Sequence, residues 1–357
     1  MASPLEAEIR GRIEASGPMS IADYMQTCLA HPEHGYYATR DPLGQAGDFT
    51  TAPEISQMFG ELLGLWAADV WQRLGQPAAI NLVELGPGRG TMMADMLRAA
   101  NALPAFKRAI SVHLVETSAT LRARQRDVLG ENIAWHDSLG SVPDAPAIYV
   151  ANEFFDALPI HQAIRRADGW RERTVDIGRD DQLRFGIAQT PCDSVVPTAL
   201  RDAPIGSVYE WRDLEIARDL ATRAVRQGAA LIIDYGHADS AIGDTLQAVR
   251  AHSFHPPLVD PGMADLTAHV DFAALGAAAV STGARVYGPI EQAMFLRRLG
   301  IEQRAAMLKS KATEAQARDI DAALDRLTAT TPAGMGKMFK VLGLASTELR
   351  PLAGFDG

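Results

Sequence analysis

Residues 79–91 run a short apolar strand, ending Asn81-Leu82-Val83-Glu84-Leu85, into Gly86-Pro87-Gly88-Arg89-Gly90 and then a helical pattern that starts at Thr91. Glycines at such a junction let the backbone turn sharply and approach a ligand closely, and the start of a helix offers N–H groups with no partner inside the helix. Apolar runs at 79–85, 110–115, 132–135, 147–151 and 229–233 are separated by helical patterns at 91–100, 121–129 and 214–227. Runs of this length that lack a polar face belong to strands buried on both sides. The expected fold class is therefore α/β, a mostly parallel twisted sheet with helices on both faces.

The rest of the chain departs from that rhythm. Ile9, Ile13, Ile21 and Met25 recur at near-helical spacing before a Gly- and Pro-rich loop at 31–51, and a helix begins near Pro53 with Ile55, Phe59, Leu62, Leu63 and Trp66 along one stripe. Residues 160–190 alternate polar and apolar around Asp168-Gly169, the pattern of an inserted β-hairpin or small antiparallel sheet. Residues 241–268 read as loop, and the last 60 as helices followed by a strand-like tail at 339–342. The expected organisation is an N-terminal helical and covering segment over 1–75 and a core over 76–160 and 205–300. Insertions fall at 160–204 and 241–270, and C-terminal helices and a tail at 301–357 pack on that core.

With 47% hydrophobic and 22% charged residues the chain can bury a large core, and its net charge of −10 argues against a nucleic-acid partner held through phosphates. Cys28 and Cys192 are too few for a disulfide framework or a four-thiol zinc site. No export segment and no apolar run long enough to span a bilayer is present, so a cytoplasmic protein without membrane insertion is expected, its oligomeric state left open.

Which nucleotide the turn holds is decided by its spacing. A dinucleotide site carries G-x-G-x-x-G; here the third glycine comes one position early and Thr91 stands where that pattern wants Gly or Ala. Glu84 precedes the glycines, where it would repel a pyrophosphate but tolerate a sulfonium-bearing amino acid. Glu116 ends the second strand, where a carboxylate can accept from both hydroxyls of a ribose. Glu84, Gly86, Gly88, Gly90 and Glu116, with Asp137 past the third strand, are thus candidates to bind S-adenosylmethionine. A tight turn with no ligand is the alternative that the glycines alone leave open, and the two acids weigh against it.

Asn152-Glu153-Phe154-Phe155-Asp156 follows the fourth strand and should face the same crevice. Asn152, Glu153 and Asp156 are the catalytic candidates, because a guanidinium needs carboxylates to orient it. Asn-x-x-Phe here also resembles the Asn-Pro-Pro-Tyr loop of nucleic-acid amino-methyltransferases, without its prolines. His237, at the end of the fifth strand, is a substrate-side candidate. The pairs His31/His34 and His252/His255 lack further ligands, so no metal is expected. The absence of G-x-S-x-G argues against a hydrolase.

Nine segments carry a wider resemblance, among them GDFTTAPEISQMFGELLG from Gly47, VELGPGRGTMMADMLR from Val83, LVETSATLRARQ from Leu114, NEFFDALPIHQ from Asn152 and PGMADLTAHVDF from Pro261. They run in order along nearly the whole chain, which is similar to the MidA-like family of methyltransferases, relatives of the mitochondrial complex I assembly methyltransferase. Ala52 stands where that family often has serine. The resemblance implies a Rossmann-like class I methyltransferase core, S-adenosylmethionine as donor, and an arginine of a respiratory complex I core subunit as acceptor. It also implies a covering segment from Gly47 to Gln57, with Asp48, Phe49 and Glu54 as substrate or lid residues. Another amine as acceptor, or an assembly factor that binds the cofactor with little turnover, are the alternatives.

Overall fold

The computed structural model describes residues 3–39, 51–349 and 351–355. The chain divides into two compact units, whose described parts are 3–39, 156–213 and 239–271 in the first and 51–155, 214–238, 272–349 and 351–355 in the second. The expected segment 1–75 is therefore split between them.

The second unit is built on one sheet. Its strands are β1 (Ile80–Leu85), β2 (Ile110–Val115), β3 (Ala134–His136), β4 (Ala147–Asn152), β5 (Gly228–His237), β6 (Arg285–Glu291) and β7 (Phe339–Ala345), hydrogen-bonded in the order 3-2-1-4-5-7-6. β1 to β5 are parallel. β7 slots between β5 and β6 and runs antiparallel to both. The order reverses between β1 and β4, and in an open sheet of this kind ligands bind beyond the carboxyl ends of the strands at that reversal. The structure thus carries the expected Rossmann-like core. β6 has no counterpart in the sequence reading: its pattern of half-buried residues lacks the apolar run that marks a strand covered on both faces.

Helices α1 (Ala52–Ile55), α2 (Gln57–Arg73), α3 (Thr91–Ala100), α4 (Ala119–Leu129) and α5 (Glu215–Gln227) belong to this unit. The stripe expected after Pro53 is real but is broken at Ser56, whose extended backbone (φ −161°) separates α1 from α2 while its Oγ accepts from Met58 N at 3.2 Å. Phe59, Leu62, Leu63, Trp66 and Val70 of α2 join Met92, Met93 and Met96 of α3 and the apolar faces of β1 and β4 in one core. Burying each of the larger of these side chains contributes about 1.5–3 kcal/mol. Glu61, 5% exposed, is compensated by Arg98 at 3.1 Å and by Arg304 at 2.8 Å.

The first unit is largely antiparallel. Strands Ile160–Arg166, Gly169–Ile177, Leu183–Pro191 and Val208–Arg212, with the short Met19–Ser20, form its main sheet. The hairpin between Ile160–Arg166 and Gly169–Ile177 turns over Ala167-Asp168, as the alternation predicts. Helices Pro4–Ser16 and Ile21–Ala30 bury Ile9, Ile13, Ile21 and Met25 in this unit's core. The stretch read as loop contains a second sheet of Gln247–Arg250, Ser253–His255 and Asp265–Thr267. Strands of three or four residues are too short to show alternation, which is why the composition read as loop. Among the described residues no helix is long and apolar enough to cross a membrane.

Candidate functional site

The carboxyl end of β1 delivers the glycine turn. Gly86, Gly88 and Gly90 have φ of +63°, +53° and +82°, the left-handed region that side chains with a Cβ avoid. Gly86 N donates to Val115 O of β2 at 3.1 Å and Gly90 N to Pro87 O at 2.8 Å, so backbone bonds tie the turn to the neighbouring strand and close it on itself. Glu84 lies one residue before the end of β1, opposite Leu114 and Val150 of the flanking strands. It is 2% exposed, and its Oε2 has no hydrogen-bond partner among the described residues. Burial pushes its carboxyl up to about 8, because a charge in apolar surroundings loses its hydration.

Beyond β2, Glu116 accepts from Ser118 N at 2.7 Å and from Gln125 Nε2 at 3.3 Å. Burial raises its carboxyl above the ordinary range, and these donors oppose the rise. Gln125, fully buried on α4, also donates to Gly88 O at 2.7 Å and accepts from Trp135 Nε1 at 2.8 Å. It therefore stitches the glycine turn to the second acid, a role the sequence reading missed because a glutamine on a helix has no distinctive spacing. Asp137 follows β3, with a side chain 85% exposed and paired to Arg122 at 2.7 Å.

β4 ends in Asn152, 7% exposed, which donates from Nδ2 to Glu153 Oε1 at 3.3 Å and whose buried Oδ1 has no partner among the described residues. Glu153 has φ +49°, a conformation that costs a residue with a side chain on the order of 1 kcal/mol and clusters at functional sites. Its N–H donates to Ile233 O at 2.9 Å. One residue along β5, the fully buried Asp234 accepts from Phe155 N at 3.0 Å and Tyr235 N at 2.9 Å, one on each carboxylate oxygen. The loop that carries Glu153 is thus clamped by β5. An Asp234→Asn variant replaces one acceptor by a buried NH2, so urea titration is expected to show a loss of roughly 1–3 kcal/mol; unchanged stability would show that the clamp is idle.

The expected residues are divided between the two units. Glu84, the three glycines, Glu116, Asp137, Asn152, Glu153, Glu54 and His237 belong to the second unit, His237 half-buried at the end of β5. Asp156 belongs to the first unit, where it is 5% exposed, accepts from Ala157 N at 2.9 Å, and lies near Tyr37 and Asp265. Asp48 and Phe49 lie outside the described residues. Glu54 accepts from Thr91 Oγ1 at 2.6 Å and lies 3.8 Å from Arg89. Thr91, whose place in the glycine pattern argued against a dinucleotide, therefore has a structural partner.

Two buried acceptors that have no donor among the described residues, Glu84 Oε2 and Asn152 Oδ1, sit at the ends of adjacent strands beside a glycine turn. That set fits a ligand with a cationic amine next to an adenosine, the chemistry of S-adenosylmethionine. A protein-family model of S-adenosyl-L-methionine-dependent methyltransferases (Methyltransf_28) matches residues 62–290. The chain belongs to this methyltransferase family. The mouse mitochondrial protein arginine methyltransferase NDUFAF7 is 40% identical over 88% of the chain and 78% of its own length, and the zebrafish (Danio rerio) protein is 38% identical over 95% and 86%. A solved COG1565 superfamily member from Burkholderia thailandensis, bound to S-adenosyl-homocysteine, superposes with a TM-score of 0.84 at 30% identity, covering 99% of this chain and 92% of that one. The methyltransferase uses S-adenosylmethionine as its methyl donor, as the glycine spacing and the two acids imply.

Proposed function

We propose that this methyltransferase modifies an arginine side chain of a protein, and that the protein is a core subunit of respiratory complex I whose assembly the modification aids. The observation that carries the arginine reading is Glu153. Its carboxylate stands on the β4 loop next to the glycine turn, held by the Ala52 N–H at 3.1 Å and by Asn152. The relatives named protein arginine methyltransferase, at 40% and 38% identity, support the acceptor; the MidA-like resemblance supports the complex I subunit. Two free thiols, Cys28 and Cys192, support a reducing compartment, the cytoplasm of a bacterial cell.

When bound, S-adenosylmethionine supplies an electrophilic methyl on a sulfonium. Glu84 and Asn152 would hold the amino-acid part through their open acceptors, and Glu116 the ribose hydroxyls. Glu153 accepts hydrogen bonds from the guanidinium, drawing its charge toward the nitrogens that do not react and leaving one nitrogen aimed at the methyl. The proton shed as that nitrogen gains its methyl passes to the same carboxylate and on to water. Orientation is the main contribution, so Glu153→Gln is expected to lower kcat about 100-fold while S-adenosyl-homocysteine affinity stays within about threefold. Mass spectrometry of complex I subunits from a strain lacking the gene should show one arginine methylation lost. Tritium from labelled cofactor found only in RNA or small molecules, with every arginine methylation retained, overturns the reading.

A further inference from the structure

Four residues of the second unit link the glycine turn to the Glu153 loop by a route the sequence does not suggest. Thr91, the first residue of α3 and the neighbour of Gly90, donates its hydroxyl to Glu54 Oε1 at 2.6 Å. Arg89, between Gly88 and Gly90, presents its guanidinium to Glu54 Oε2 at 3.8 Å. Glu54 belongs to the four-residue helix α1, whose turn is closed by Glu54 N donating to Thr51 O at 3.0 Å. Two residues earlier on that helix, the Ala52 N–H donates to Glu153 Oε1 at 3.1 Å. Ala52 itself is fully buried, so this donor is anchored by its surroundings.

We propose that Glu54 is a positioning residue for the methyl transfer: it straps the glycine turn to α1, so that an occupied turn sets the Ala52 N–H and, through it, the carboxylate of Glu153. The inference rests on Glu153 facing the acceptor. The linkage is physical at every step, because hydrogen bonds at 2.6 and 3.1 Å and one helical turn connect the two loops. Ligation that stiffens the backbone at 86–91 removes freedom from Arg89 and Thr91, hence from Glu54, and the cost of ordering the Glu153 loop falls accordingly. Glu54 need touch neither cofactor nor acceptor to act in this way.

The test is hydrogen exchange at the Ala52 amide of the full chain, with S-adenosyl-homocysteine as the probe. In the parent, saturating probe is expected to slow exchange at Ala52 by about tenfold or more. Thr91→Val, which keeps the shape and removes the hydroxyl, and Glu54→Ala should reduce that slowing to less than about threefold, and Thr91→Ser should restore it. In turnover, Thr91→Val and Glu54→Ala should lower kcat by about tenfold with little change in cofactor KM. In the Glu153→Gln background, a further Glu54→Ala change should cost far less than it does alone. Equal slowing in parent and Thr91→Val, or fully additive losses in the double variant, overturns the strap. The exchange readout involves no acceptor, so its failure is distinguishable from the failure of the arginine reading.

Discussion

Replacing Glu84 by glutamine is expected to remove a large part of the pH dependence of stability in the cofactor-free protein. Its carboxyl is pushed from an ordinary value of 4.5 to about 8 by burial. Between those two values the unfolded chain sheds this proton while the fold keeps it. The group's contribution is therefore fully present below about pH 4.5 and is lost as pH rises toward about 8, at about 1.4 kcal/mol per pH unit. Across the whole window the loss amounts to several kcal/mol, so urea midpoints of the parent should fall relative to those of Glu84→Gln as pH is raised. In the binding mode proposed above, the ammonium of S-adenosyl-homocysteine meets Glu84 Oε2 and favours the ionised form, so the parent should release close to one proton on binding at pH 7. Calorimetry in buffers of different ionisation enthalpy measures that proton directly. Parallel stability curves for parent and variant, together with no proton released, would exclude a neutral buried Glu84.

Glu84 also shows which parts of the site are written locally. Its place before the glycines follows from the pattern of one strand and one turn, as does that of Glu116 at the end of β2. Both are recoverable because a parallel strand buried on both faces is a run of apolar residues whose end is visible in one dimension. Gln125 has no such mark. It matters because α4 returns past both the turn and Trp135, and its three hydrogen bonds are made to residues 9, 10 and 37 positions away. The left-handed backbone at Glu153 is equally silent, since glutamate at positive φ is imposed by the pairing of β4 and β5 and by Asp234. Glu153 and Asp156, three residues apart in the chain, belong to different compact units, a boundary that no local pattern marks. Only tertiary contacts reveal Glu54, expected as a lid or substrate residue, as the partner of Thr91.

Alanine at Gly86 is expected to produce the largest loss of cofactor affinity of any single methyl added to the turn. Two effects act together. The φ of +63° is a conformation that costs a residue with a Cβ about 1–2 kcal/mol. The new methyl would also meet Phe154 Cδ2 at 2.9 Å, inside normal contact, so the ring or the turn must shift. Phe154 sits on the loop that carries Glu153, and its neighbour Phe155 is buried and fastened to Asp234. The loop side is therefore held, and the displacement falls on the turn, which is proposed above to hold the cofactor. A drop of about 30-fold or more in S-adenosyl-homocysteine affinity is expected, equivalent to about 2 kcal/mol. Gly130 supplies the control: its φ is +84°, and a Cβ there meets nothing within 4 Å. Gly130→Ala should carry the same kind of backbone strain, visible as a lowered Tm, and leave cofactor affinity unchanged. If both variants lose affinity equally, the effect belongs to general destabilisation; if only Gly86→Ala does, it belongs to the close approach at the end of β1.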